Sequence, residues 1–477
     1  MTIAPARTDL EGLLATVAEE LGRWQVPGLE LALVADGTTA YAGGIGTLGT
    51  LVPRPVTART LFQHGSCGKA YTGLLLVLLA AERLVDLDAP VRRHVPELAL
   101  PDEVVAARVT TRDLLSHRSG LGRHDLAWIM NPQWTPADVL GRLPYLPLVG
   151  DLRAQWSYSN FGYALAGIVA ERVTGTTYAE ALRARVLEPL GMSRTQASVD
   201  VMQAEADSAR PHVTSGGAVE ETLFRRLAGV APAGELVSCA ADSVRWLRAQ
   251  LSLDDTLPAA AVRSTHDPSM LLPTGVAPFP ELEFTAYGFG WISGRYRGHR
   301  LVWHNGGVDG FCTQTLLLPD RRSGAVVSAN LHATNLPLAV VLAAADMLIG
   351  EAAESSWFDR LRPEEPSPVP PAPRPADVPG PTRALGDLAG TYCHRGYGDL
   401  TVTATEAGLS ARLGAFPVEL SHRLRDTWQL GYPPLEVTGT VTFEAAPDGA
   451  VAHALVVFDT DGTNVRMDRV GDDGVAA

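Results

Sequence analysis

Residues Ser66–Arg83 read SCGKAYTGLLLVLLAAER, and the second half of this stretch, Leu74–Ala81, is apolar without a break. A run of strong helix formers with no polar face predicts a helix buried on all sides. The first turn is different in kind. Ser66 and Lys69 are three residues apart, which on a helix stacks both side chains on one face. The amine can then reach the hydroxyl and take its proton, and the helix N-terminus adds positive potential that favours an alkoxide. A serine cap followed by a surface lysine would give the same letters, so the rest of the chain has to decide.

Of 39 Lys+Arg residues, 38 are arginine and one, Lys69, is lysine. Arginine keeps its charge permanently, whereas a lysine amine can lose its proton. The single lysine therefore stands where a titrating amine is useful. Cys67 lies one residue off the Ser66/Lys69 face and reads as a small buried side chain rather than a nucleophile.

On the N-terminal side, residues 9–23 have amphipathic helical spacing. Leu29–Val34 and Thr39–Gly43 are strands around an Ala35-Asp36-Gly37 turn, a hairpin signal. On the C-terminal side, residues 84–300 read as mostly helical with loops, including Tyr163–Val173, Ala179–Leu187 and Ala240–Leu251. Strands return at His299–His304, Phe311–Leu318 and, after Pro319-Asp320-Arg321-Arg322, Gly324–Asn330. Leu336–Ile349 closes the region as a helix. A sheet assembled from both ends, with helices inserted between, predicts an α+β fold: an antiparallel sheet flanked by helices, with a helical subdomain. The cleft between sheet and helical lobe is the natural place for a site.

Pro363–Pro381 holds nine prolines in nineteen residues and reads as a stiff linker. Beyond it the texture changes to short alternating segments, 400–404, 438–443 and 454–458, with turn signals at Asp448-Gly449 and Asp461-Gly462. These predict a small all-β barrel or sandwich. The expected domains are 1–358, a linker at 359–383, and 384–477.

Two further motifs carry chemistry. In Tyr158-Ser159-Asn160, residues two apart point the same way, so a phenol able to move a proton and an amide able to hold a carbonyl or bridge to Lys69 face one cleft. In His304-Asn305-Gly306-Gly307, placed on a strand at a sheet edge, the glycines let a substrate approach the backbone and a nearby N–H can donate to an oxyanion.

Together, in this order, the three motifs resemble the serine β-lactamase and penicillin-binding-protein superfamily, in the branch of class C β-lactamases, D-stereospecific peptidases and related esterases. LLSHRSGL at 114–121, EPLGM at 188–192 and GGVDGF at 306–311 add to the likeness, which spans roughly residues 10–350. The resemblance implies that Ser66 is the nucleophile, that Lys69 and Tyr158 form the proton network with His304 on the facing wall, and that Asn160, Asn305, Gly306 and Gly307 contact substrate. The backbone N–H groups of Ser66 and Gly307 would form the oxyanion hole. His304 stands where β-lactamases and transpeptidases usually carry lysine, which looks more like the esterases, D-aminopeptidases and peptide-cyclising thioesterases. The C-terminal barrel resembles a lipocalin-like domain found in some members, where it either restricts the cleft or stabilises the fold.

The resemblance implies a serine acyltransferase or hydrolase. One reading is a standalone thioesterase that takes a nonribosomal peptide from a carrier-protein thioester and releases it as a head-to-tail macrocycle. Others are an esterase or D-aminopeptidase acting on small esters and amides, and a non-catalytic binding protein on the same scaffold. A net charge of −14 with no basic block argues against nucleic acid and anionic membranes as partners. No apolar stretch reaches the roughly 20 residues of a membrane span. Four scattered cysteines and a start without a secretory pattern favour reduced thiols in the cytoplasm. Twelve histidines without metal-ligand spacing predict no metal, and no cofactor is expected.

Overall fold

The computed structural model describes residues 7–351, 355–362, 378–432, 437–458 and 464–471. The chain divides into two compact units. One takes residues up to 122, 135–140 and 147–363; the other takes 123–134, 141–146 and the chain from 364 onward.

The first unit is built on an eight-stranded antiparallel sheet. Its strands are β1 (Gly28–Ala35), β2 (Thr38–Gly46), β3 (Met270–Leu271), β4 (Leu282–Tyr287), β5 (Ile292–Tyr296), β6 (His299–Val308), β7 (Phe311–Leu318) and β8 (Ser323–Ala329), in the order β2-β1-β8-β7-β6-β5-β4-β3. The β1–β2 turn holds Asp36 at φ 46° and Gly37 at φ 80°, the two left-handed residues of a tight hairpin. β1 is buried along its whole length. Leu29, Leu31 and Leu33 share one core with helices α1 (Arg7–Arg23) and α5 (Leu336–Ile349). A strand covered on both faces reads as an unbroken apolar run, and Glu30 is the polar exception.

The helix expected from Ser66–Arg83 is α2 (Gly68–Ala81), entered through a 3₁₀ turn at Gly65–Cys67. It is buried through Leu79. Beside it stand α3 (Asn160–Thr174) and α4 (Ala240–Gln250). The region expected to be mostly helical also contributes β3, β4 and β5. These strands are short; β3 has no buried residue and only part of β4 and β5 is buried, so they carry little apolar alternation.

The expected boundaries shift in two places. Residues 359–361 belong to a helix, Trp357–Leu361, whose Trp357 and Leu361 are buried in the core of the first unit. Most of the proline-rich linker, residues 363–377, lies outside the described residues, as does the Asp461-Gly462 turn.

The second unit is a closed eight-stranded antiparallel barrel, the lipocalin-like form expected from the sequence. Its strands are β9 (Gly390–His394), β10 (Gly398–Thr405), β11 (Gly408–Leu413), β12 (Phe416–Leu424), β13 (Thr427–Tyr432), β14 (Val437–Ala445), β15 (Val451–Phe458) and β16 (Asn464–Arg469). Residues 123–134, which a cut at 358 would assign to the first domain, group with this barrel. The Ala415 amide donates to the Met130 carbonyl at 2.8 Å. Asn131 Nδ2 donates to the Tyr397 carbonyl at 3.1 Å, and His124 Nδ1 is 2.7 Å from the Tyr397 hydroxyl. Among the described residues no helix is long and apolar enough to cross a membrane.

Candidate active site

The Gly65–Cys67 turn presents Ser66, partly exposed, at the head of α2. One turn on, Lys69 is fully buried. Its Nζ lies 3.0 Å from Ser66 Oγ, 2.6 Å from Asn160 Oδ1 and 2.7 Å from the Ala233 carbonyl. As an ammonium it donates to all three. The amide and peptide oxygens can only accept, so a neutral amine must keep its two protons for them. Of these three partners, the Ser66 hydroxyl is the one that can donate into the amine's lone pair. The hydrogen-bond pattern thus points a neutral Lys69 amine at the Ser66 hydroxyl.

Tyr158 and Asn160 flank the start of α3, where the Ser159 hydroxyl caps the helix by accepting from the Gly162 amide. The cap turns Asn160 inward to Lys69, so of its two expected uses the structure shows the bridge. Lys69 Nζ sits 4.8 Å from the centre of the Tyr158 ring and 5.4 Å from that of Tyr163. The Tyr158 ring rests on the imidazole of His117, centroids 4.4 Å apart. Nδ1 of His117 in turn accepts the Ser159 amide at 3.1 Å. His117 belongs to the LLSHRSGL stretch, so its presence was legible, though not this contact.

The third motif departs from expectation. It lies inside β6, which is an interior strand of the sheet rather than an edge. Pairing with β5 stops at Trp303, however, while pairing with β7 continues to Val308. Residues 304–308 therefore form a local edge, and the start of α2 packs there. Gly306 makes the approach possible: a Cβ on it would stand 2.0 Å from the His64 carbonyl oxygen. Gly65, at φ 53°, also lies against this strand: a Cβ on it would stand 2.9 Å from the Gly307 backbone. Asn305 and Gly307 are exposed, and Gly306 is buried.

His304 was expected on the reacting wall, and its ring is instead 2 % exposed. Nδ1 is 2.5 Å from the Asn305 carbonyl oxygen, which can only accept, so Nδ1 carries the proton. Nε2 then accepts from the Tyr287 hydroxyl at 2.8 Å. Burial, reinforced by the charge of Lys69, pushes the imidazole down to about 3. A neutral ring with both nitrogens engaged supports the wall and moves no proton. Cys67 is likewise inert: burial pushes its thiol up to about 12, and Sγ sits 3.5 Å from the His304 carbonyl. Sequence reasoning missed Tyr287 and Ala233, which lie in no motif.

Residues 13–346 match the family model described as Beta-lactamase. This chain belongs to the β-lactamase family. Residues 374–469 match a second model, a domain of unknown function (DUF3471). Among curated proteins, an unguisins hydrolase of Aspergillus campestris is 29% identical over 420 residues, 81% of this chain and 76% of that one. Among solved structures, the D-amino acid amidase from Ochrobactrum anthropi SV3 complexed with L-phenylalanine amide superposes with a TM-score of 0.60 at 26% identity. That match covers 72% of this chain and 98% of the amidase. The octameric penicillin-binding protein homologue from Pyrococcus abyssi shares the fold over 96% of this chain and 99% of its own, with a TM-score of 0.66 at 22% identity. As a member of the β-lactamase family, the protein is a serine hydrolase-type enzyme.

Proposed function

We propose that this β-lactamase-family enzyme takes the acyl group of a peptide onto Ser66 and passes it to water or to an amine. The observation that carries the reading is the aim of Lys69. Neutral Lys69 accepts the Ser66 proton as Oγ bonds to the substrate carbonyl carbon, and the N–H groups of Ser66 and Gly307 receive the oxyanion. When the carbonyl reforms, the amine or thiolate leaves and takes a proton from the Lys69–Tyr158 pair, leaving an ester on Ser66. The acceptor then loses its proton to the same pair, attacks the ester and frees Ser66.

The charge of the wall bears on the substrate. Neutral His304 offers no cation to a carboxylate next to the scissile bond. That favours acyl groups held in amide, ester or thioester linkage within a longer molecule. The names of the unguisins hydrolase and the D-amino acid amidase support hydrolysis, the second of a D-amino acid amide. Head-to-tail cyclisation of a peptidyl thioester delivered by a carrier protein is the second reading, favoured by the same neutral His304.

The test is product analysis with matched peptidyl amides and carrier-mimic thioesters ending in D- or L-residues. Mass spectrometry should find the acyl group on Ser66 and none in Ser66→Ala. Linear acid from every thioester excludes the cyclase. No adduct at Ser66 from any substrate or fluorophosphonate overturns catalysis and leaves a binding role.

A further inference from the structure

We infer that Glu30 and His64 form a buried pair that positions the nucleophile's turn against the strand carrying Gly307; the inference rests on reading Ser66 as the nucleophile. The two oxyanion donors belong to different elements, one to the Gly65–Cys67 turn and one to β6. Something has to set their separation. Packing at glycines allows the two backbones to meet but does not orient them, because a glycine contact has no side chain to lock.

His64 supplies the orientation. It is the last residue with a side chain before Ser66. Its own amide donates to the Leu236 carbonyl at 2.8 Å, and its carbonyl accepts from the Cys67 amide at 3.3 Å. That same carbonyl is the atom against which Gly306 is pressed. The backbone of His64 thus touches both the turn and β6, and its ring is tied to a third place. Nε2 lies 2.6 Å from Oε1 of Glu30, with both residues buried.

Glu30 is fixed by the sheet. It lies within β1, opposite Ser328 of β8 on one side and Gly44 of β2 on the other. β8 pairs with β7 and β7 with β6. The carboxylate is therefore held in the frame that carries Gly307, and the imidazole transfers that frame to the turn. Apolar side chains of similar volume would fill this space at less desolvation cost. What they lack is direction, and a short bond between imidazole and carboxylate has it. Burial, only partly offset by His64, leaves the Glu30 carboxyl above its ordinary range, and the 2.6 Å contact ties the two side chains whichever of them carries the shared proton.

An error in this spacing is felt as the oxyanion forms, so it should appear in the acylation step rather than in substrate binding. The experiment compares the intact enzyme with Glu30→Leu and Glu30→Gln, reading kcat, KM and the rate of fluorophosphonate labelling at Ser66. Glu30→Leu removes the acceptor and should lower kcat and labelling roughly 10–100-fold, with KM within about twofold. Glu30→Gln keeps an oxygen for the His64 N–H and should restore most of the rate. Folded Glu30→Leu with wild-type kcat, or Glu30→Gln no faster than Glu30→Leu, overturns the inference. Should Glu30→Leu not fold, the Glu30→Leu/His64→Leu double variant decides. Reduced kcat at unchanged KM supports the pair, and wild-type kcat refutes it. A wild-type enzyme unlabelled at Ser66 sinks the functional reading and this one together. A labelled wild type with an equally reactive Glu30→Leu sinks the pair alone.

Discussion

The carbonyl oxygen of Ala233 accepts a hydrogen bond from Lys69 at 2.7 Å. A peptide oxygen cannot donate, so neither this contact nor the one to Asn160 Oδ1 can fill the amine's lone pair, whereas the Ser66 hydroxyl, 3.0 Å away, can. Lys69→Arg keeps the charge and loses the base. Acylation of Ser66, followed by fluorophosphonate labelling, should fall by a factor on the order of 10²–10⁴. A variant that labels at the wild-type rate would remove Lys69 from proton transfer.

Gly306→Ala should separate the wall from the nucleophile. Its Cβ would overlap the His64 carbonyl, which is backbone and cannot swing aside. We expect kcat to drop by about 10² or more, as for loss of an oxyanion donor, along with a lower unfolding temperature. Full activity would mean that the turn and β6 need not touch.

His304 makes stability depend on acid. Its imidazole lies at about 3 in the fold against an ordinary 6.5, so between those values the unfolded chain binds a proton that the folded chain does not. Stability due to this ring is complete above about 6.5 and is lost as pH falls toward 3. Urea midpoints measured across this window should fall less steeply for His304→Gln, and the wild-type rate profile should show no limb from His304.

Glu235 acts in the opposite direction. Burial raises its carboxyl to about 7 from 4.5, against the pull of the Leu227 and Val199 amides; Asp200 adds to the rise and Arg226 opposes it. The fold keeps this proton where the unfolded chain has released it. The stability it confers is therefore complete below about 4.5 and lost as pH rises through 7. Glu235→Gln should flatten that slope and be the more stable protein at pH 8. Parallel wild-type and variant curves would refute this.

Cys67→Ser should leave most of the activity, because the thiol is held neutral near the His304 carbonyl. Its rate with an activated ester is the measurement, and abolition would overturn the assignment of Ser66 over Cys67.

The sequence disclosed the parts of the site whose geometry is local. Ser66 and Lys69 sit one helical turn apart, so spacing alone stacks them. Tyr158 and Asn160 were legible because residues two apart on a short segment face the same way. The β1–β2 hairpin and the Leu336–Ile349 helix were legible for the same reason, through turn chemistry in one and an unbroken apolar run in the other. His304 was misread because strand alternation tells which face a residue takes, not whether that face meets solvent or Tyr287. Ala233, Tyr287 and the Glu30–His64 pair depend on contacts between segments far apart in sequence. The strands from Met270 to Tyr296 were missed because they are short, lie at one end of the sheet and have few buried positions.

Residues 123–134 group with strands synthesised long after them. His124, Met130 and Asn131, all buried in the finished protein, leave the ribosome well before Tyr397 and Ala415 exist to meet them. The barrel therefore cannot be treated as a detachable cassette. A chain cut at the proline-rich stretch would leave this strip without those hydrogen-bond partners, and shuffling this barrel between relatives would require moving its early-made strip as well.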